Sequence, residues 1–297
     1  MKLLRTPDER FENLPDFPYE PHYVEVDEIR IHYLDEGPKS EEIILLMHGE
    51  PSWSFLYRYM IPILVKAGYR TLAPDLVGFG RSDKPSEQSD HTYLRHVEWI
   101  TAWVKILDLQ NITLFCQNWG SLIGLRVAIE NQDRFKRIVL SNGGLPTGGQ
   151  KLSEALMDWQ KFSRTAKKFS IGRIVQGATV TKLSRDIKNA YNAPFPDDSY
   201  KAGARILPSL VPTSNNDPEH ERNKKALEQF SKWEKPFLTA FSDNDPITRG
   251  VDRFWKNLVP GAKGQNHTTV KNAGHFVQED KGPELAEIII DFIKKNP

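Results

Sequence analysis

Ile112-Thr113-Leu114-Phe115-Cys116-Gln117-Asn118-Trp119-Gly120-Ser121-Leu122-Ile123-Gly124-Leu125-Arg126-Val127-Ala128-Ile129-Glu130 is the stretch on which the reading of the fold turns. Its first five residues are apolar and rich in β-formers, as in a buried strand. From Trp119 the period becomes helical. Leu122, Leu125 and Ile129 share a face, and Ile123, Val127 and Ala128 widen it, so the helix is largely buried. A buried strand that breaks at once into a buried helix requires a sharp turn, and Gly120 and Gly124 let that helix lie close to its neighbours. The G-x-S-x-G elbow has this shape and lifts one side chain above a sheet. Here the elbow reads Cys116-Gln117-Asn118-Trp119-Gly120, with Asn118 at the tip. On these residues alone, an ordinary strand–turn–helix whose Asn tolerates a strained backbone explains the pattern equally well.

The 297 residues suffice for one large domain or for a core with a smaller insertion. Apolar residues make up 39% of the chain, and 40 basic against 39 acidic residues leave a net charge of +1. So balanced a charge gives no reason to expect nucleic-acid or membrane-surface binding. The single cysteine, Cys116, excludes an internal disulfide and fits a reducing compartment. Met1 to Asp8 carries no apolar run of the secretory kind, and no stretch approaches the ~20 apolar residues of a membrane span. The expectation is a soluble, cytoplasmic protein, with a monomer as the default.

Outward from the central stretch, strands and helices alternate. Tyr23–Val26 and Ile29–Leu34 read as a hairpin, Ile43–Met47 as a fully apolar strand, Tyr57–Ala67 as a helix and Arg70–Ala73 as a strand. Tyr93–Leu107 reads as a helix and Arg137–Leu140 as a strand. This predicts an α/β fold with a mostly parallel sheet between helices. The alternation stops after Asn142-Gly143-Gly144 and resumes at Phe237–Phe241 and His267–Val270, before an amphipathic C-terminal helix. Residues 147–232, helical with scattered prolines, are therefore assigned to an inserted cap domain, and 1–146 with 233–297 to the core.

In an open parallel sheet, reactive groups gather on loops past the C-terminal strand ends. Asn118, Asp245 and His275 each follow such a strand. Singly, an Asp before Pro is an ordinary turn former and a lone His is often structural. Three together, in the chain order nucleophile, acid, histidine, match α/β-hydrolases. The other histidines show no paired metal-ligand spacing, so neither metal nor other cofactor is expected. Cys116 precedes the elbow tip and reads as a packing residue.

His48-Gly49-Glu50-Pro51-Ser52-Trp53-Ser54, Asp75 to Pro85, Cys116 to Gly120, Ala193 to Asp197 and Ala273 to Glu279 together resemble the haloalkane dehalogenases, over nearly the whole chain. The similarity is to the subfamily that binds halide with two tryptophans. It implies attack on a halogenated hydrocarbon carbon by an elbow carboxylate, giving an ester. It further implies that His275, oriented by Asp245, activates the water that hydrolyses the ester. Backbone N–H groups of Glu50 and Trp119 would form the oxyanion hole. Indole N–H groups of Trp119 and Trp159 would hold the halide, since they donate and never accept. Phe162, Phe169, Ile174, Leu207 and Leu210 are expected pocket walls.

This sequence departs from the family at the tip, where Asn118 replaces the nucleophilic aspartate. An amide oxygen is a far weaker nucleophile than a carboxylate. Three readings follow: an inactivated variant of a working enzyme, a natural non-catalytic binder, or a chain in which water activated by His275 converts Asn118 to aspartate. The rival chemistry is epoxide hydrolysis, which needs acidic hydroxyls in the cap. Tyr191 and Tyr200 are the candidates for that role.

Overall fold

A computed structural model describes residues 1–150 and 152–297. Its large sheet has eight strands. They are β1 (His22–Val26), β2 (Ile29–Glu36), β3 (Ile43–Met47), β4 (Arg70–Pro74), β5 (Ile112–Gln117), β6 (Phe135–Ser141), β7 (Phe237–Ser242) and β8 (Thr268–Val270). Their spatial order is β1-β2-β4-β3-β5-β6-β7-β8. β2 runs antiparallel to both β1 and β4, and every other pairing is parallel. Strands β3 and β5 are buried at every residue, as expected of a sheet covered on both faces. The order reverses at β3, which has β4 on one side and β5 on the other. That is where a doubly wound sheet opens a crevice.

Ten helices follow in chain order among the described residues: α1 (Ile61–Lys66), α2 (Tyr93–Ile106), α3 (Trp119–Glu130), α4 (Glu154–Thr165), α5 (Ile171–Gly177), α6 (Arg185–Asn192), α7 (Ala202–Ile206), α8 (His220–Phe230), α9 (Val251–Leu258) and α10 (Val277–Lys295). The first is shorter than its sequence suggests. Ser54–Tyr57 form a 3-10 turn, and the α-helix begins only at Ile61, with Pro62 in its first turn, where a missing N–H costs nothing. α2 packs on α3, and α1 packs on α10.

Between β6 and β7 no strand interrupts the helices α4 to α8 among the described residues. The last of them differs from its neighbours. α8 packs against α3, and Arg126 of α3 reaches Glu219 at 3.1 Å and Asn223 at 2.8 Å. The sequence places α8 with the inserted segment, because nothing in an amphipathic pattern tells which surface its apolar face covers. No described helix is long and apolar enough to cross a membrane.

Candidate active site

Asn118 ends β5 and caps α3 at φ 51°, ψ −131°. A positive φ is costly for a residue with a Cβ, and persists only where surroundings enforce it. Here they do. The Asn118 N–H donates to the carbonyl of Asn142 at 3.1 Å, and the carbonyl of Asn118 accepts from Ser121 N–H at 2.9 Å. Gly120 lies so close to β3 that a Cβ there would meet the Met47 carbonyl oxygen at 2.0 Å. The first elbow glycine is replaced by Cys116, and the space comes from the facing side instead: Gly124 puts no side chain against the Cys116 Cβ.

The strained backbone points the amide into the crevice. Its Oδ1 accepts from the Glu50 N–H at 2.8 Å and the Trp119 N–H at 2.6 Å. These donors come from the loop after β3 and the start of α3, on either side of the reversal in strand order. Its Nδ2 lies 2.8 Å from His275 Nε2. An amide nitrogen only donates, so Nε2 must accept, and the ring proton resides on Nδ1. That proton donates to Asp245 Oδ2 at 2.9 Å.

Asp245 is 2% exposed and well tied. Ile247 N–H donates to its Oδ1 at 2.9 Å, and the Thr248 hydroxyl donates to its Oδ2. Burial alone would raise the Asp245 pKa, but the adjoining His275 and the hydrogen bonds from His275, Thr248 and Ile247 outweigh it and keep the group anionic. His275 is itself steadied from below. Its carbonyl accepts from Gln117 Nε2 at 2.9 Å and Asn142 Nδ2 at 3.0 Å. Asn142 also donates to the Gly274 carbonyl and accepts from Ser242 N–H, so one side chain joins the ends of β6 and β7 to the histidine loop.

Two cavities of about 490 Å³ each meet at Asn118, Trp159, Ile247 and His275. One is mostly apolar, with Leu122, Leu145, Leu156, Val211, Val251 and Phe254 in its wall. The other contains Glu50, Phe162, Lys168, Arg173 and Ile174. Trp119 faces the apolar cavity, its ring edge-on to Tyr93 at 5.2 Å. Trp159 lies on α4 in a three-ring cluster with Phe162 at 5.8 Å and Phe169 at 5.9 Å, the two phenylalanines being 5.9 Å from each other. Its indole N–H does not point into empty space but donates to Glu50 Oε2 at 3.2 Å.

Several expectations need correcting. Phe162 and Ile174 line a cavity, but Phe169, Leu207 and Leu210 line neither, because Phe169 serves as backing for Trp159 and Leu207 is fully buried. Tyr191 is also fully buried, and its hydroxyl donates to Glu279. Tyr200 lines neither cavity, and no tyrosine does so among the described residues. The conspicuous loop from Asp75 to Pro85 is a brace. Asp75 accepts from Ser54 N–H at 2.7 Å and Arg81 N–H at 2.8 Å and pairs with His32 at 2.6 Å, which fixes the segment carrying Glu50. Gln117, Asn142 and Thr248 were missed. Of these only Asn142 carries a local signal, an Asn-Gly-Gly at a strand end.

The profile of the α/β-hydrolase fold matches residues 42–282. A haloalkane dehalogenase of Psychrobacter cryohalolentis is 55% identical over the whole of both chains. One from Mycolicibacterium paratuberculosis is 51% identical over 98% of each. Among solved structures, the tetrameric haloalkane dehalogenase DpaA of Paraglaciecola agarilytica superposes with a TM-score of 0.90 at 38% identity, over 97% of each chain. The fold is thus that of the α/β-hydrolases. Within it, this chain belongs to the haloalkane dehalogenases, hydrolases that act on carbon–halide bonds.

Proposed function

We propose that the site is built to displace halide from an sp3 carbon and to hydrolyse the resulting ester, with Asn118 standing where a carboxylate would attack. A carboxylate oxygen in that role leaves an ester, whose carbonyl carbon is open to water, whereas a serine oxygen would leave an ether. His275, whose Nε2 carries no proton, deprotonates the water once position 118 is a carboxylate and no longer donates to it, and Asp245 holds the ring and stabilises its charged form. The Glu50 and Trp119 N–H groups receive the oxyanion. Trp119 and Trp159 stabilise the leaving halide, which needs no proton. The products are an alcohol, a halide ion and a proton. Residues 147–232 supply the cap over a core of 1–146 and 233–297.

The observation that carries this reading is the pair of contacts on one amide: oxygen in the two N–H donors, nitrogen 2.8 Å from the histidine. A carboxylate in the same pose presents its second oxygen where Nδ2 now lies. With the amide, that position holds a nitrogen whose lone pair is delocalised, so the chain is halted at the displacement step. The decisive experiment is Asn118→Asp with a halide-release assay on haloalkanes of varied length. Turnover by the variant and none by the parent supports a halted nucleophile. A variant without turnover on any haloalkane overturns it.

Hydrolysis of the amide itself becomes possible once Nε2 exchanges its Asn118 Nδ2 contact for a water, because the amide oxygen already lies between the two N–H donors. Intact mass followed over days should show the gain of amide-to-acid exchange, with activity rising in step. An unchanged mass excludes conversion. Epoxide opening lacks support here, since no phenol lines either cavity among the described residues.

A further inference from the structure

Glu50 contributes its backbone N–H to Asn118, but its carboxyl is a separate matter. The residue is 1% exposed, its Oε1 has no partner, and its Oε2 has one, the Trp159 indole. A buried carboxyl with an empty oxygen beside a cavity is costly unless something else uses it. We propose that Glu50 is a positioning residue for Trp159, holding the indole N–H while the chamber is empty and yielding it to the departing halide, so that carboxyl and halide compete for one donor. This rests on the halide role given above to Trp159.

The competition depends on which form of Glu50 is present. Burial drives its pKa far above the ordinary range, and the Trp159 hydrogen bond only partly opposes this. No cation is bonded to it. Lys168 and Arg173 of the cap line the same cavity but are exposed at its rim. His275 faces the cavity from the last loop with Asp245 behind it, and His48, on Glu50's own loop, is engaged by the Gly49 carbonyl and the Leu76 N–H. A neutral carboxyl is a weak acceptor that releases the indole readily, and its own O–H can turn to the anion. An ionised carboxylate would grip the indole and repel the halide at close range in a poorly screened site. Loss of the Glu50 proton therefore ejects the halide.

Bromide binding to the chain as it stands, where no displacement intervenes, tests this through quenching of tryptophan fluorescence across a pH series. The expected result is affinity that falls as pH rises, by up to about tenfold per pH unit once Glu50 titrates. Glu50→Gln keeps the shape, an acceptor for Trp159 and a donor for bromide, but cannot ionise. Its affinity should match the parent at low pH and lose the fall as pH rises. Thermal melts confirm that the variant is folded. If both proteins show the same pH dependence, the Glu50 proposal fails and the halide reading stands. If bromide binds neither protein, or Trp159→Phe binds it as tightly as the parent, the halide reading fails too.

Discussion

Glu50 and Glu279 both lie buried where the cap meets the core, and they are treated oppositely. Glu279, in the first turn of α10, has both oxygens occupied. Arg58 binds it through two nitrogens, at 2.8 and 2.5 Å, and the Tyr191 hydroxyl reaches across from α6. The guanidinium lies between the rings of Phe55 and Tyr59. Glu50 has one weak donor and an empty oxygen. The first arrangement fixes α6 to α10, while the second leaves a polar group with spare capacity facing a cavity. Filled capacity makes Glu279 a fastening; the capacity left over at Glu50 is what the proposed exchange with halide would draw on.

That contrast can be broken from either side. In the chamber, His275→Ala placed on the Asn118→Asp background should stop ester hydrolysis but not its formation. Turnover should fall by about 10² to 10⁴, and mass spectrometry should find the alkylated protein accumulating. At the fastening, Glu279→Ala leaves the Arg58 charge buried without a partner. A loss of about 3–5 kcal/mol in urea unfolding is expected, and a loss under 1 kcal/mol would show that Glu279 is not what joins cap to core.

His91 sharpens the comparison by pH. It is wedged between core and cap, so close to α7 that a Cβ on Gly203 would meet its ring at 2.9 Å. Burial lowers its pKa to about 4, against which the Pro85 carbonyl works only partly. The folded protein therefore resists a proton that the unfolded chain accepts near 6.5. Stability is full above that value and falls as pH drops toward about 4, by on the order of 3 kcal/mol from this group. His91→Gln should flatten that part of the curve in denaturant titrations. The smallest effect is expected from Tyr191→Phe, about 1 kcal/mol, with bromide binding in the chamber unchanged.

The sheet was legible because its strands are short apolar runs with sharp ends: Ile43–Met47 stands where the pattern puts it, and the strand expected at Ile112–Cys116 runs one residue further, to Gln117. Asn118, Asp245 and His275 each follow a strand end, a position countable in the sequence, and the structure brings the three into one chain of contacts. Pairings across the cap were not legible. Nothing in Met157-Asp158-Trp159-Gln160 says that the indole reaches Glu50, 109 residues away, or that Phe169 backs the ring instead of facing a ligand. Tyr191 and Asn142 show the same limit. Their partners are set by how helices pack after the sheet has formed, and a single hydroxyl or amide leaves no periodic trace.

The positive φ of Asn118 has a thermodynamic corollary. The amide is clasped by two N–H groups that the protein itself supplies, so its orientation is set by the fold. Whatever enters meets a frozen partner, and the entropy of aiming that side chain is not subtracted again at each encounter.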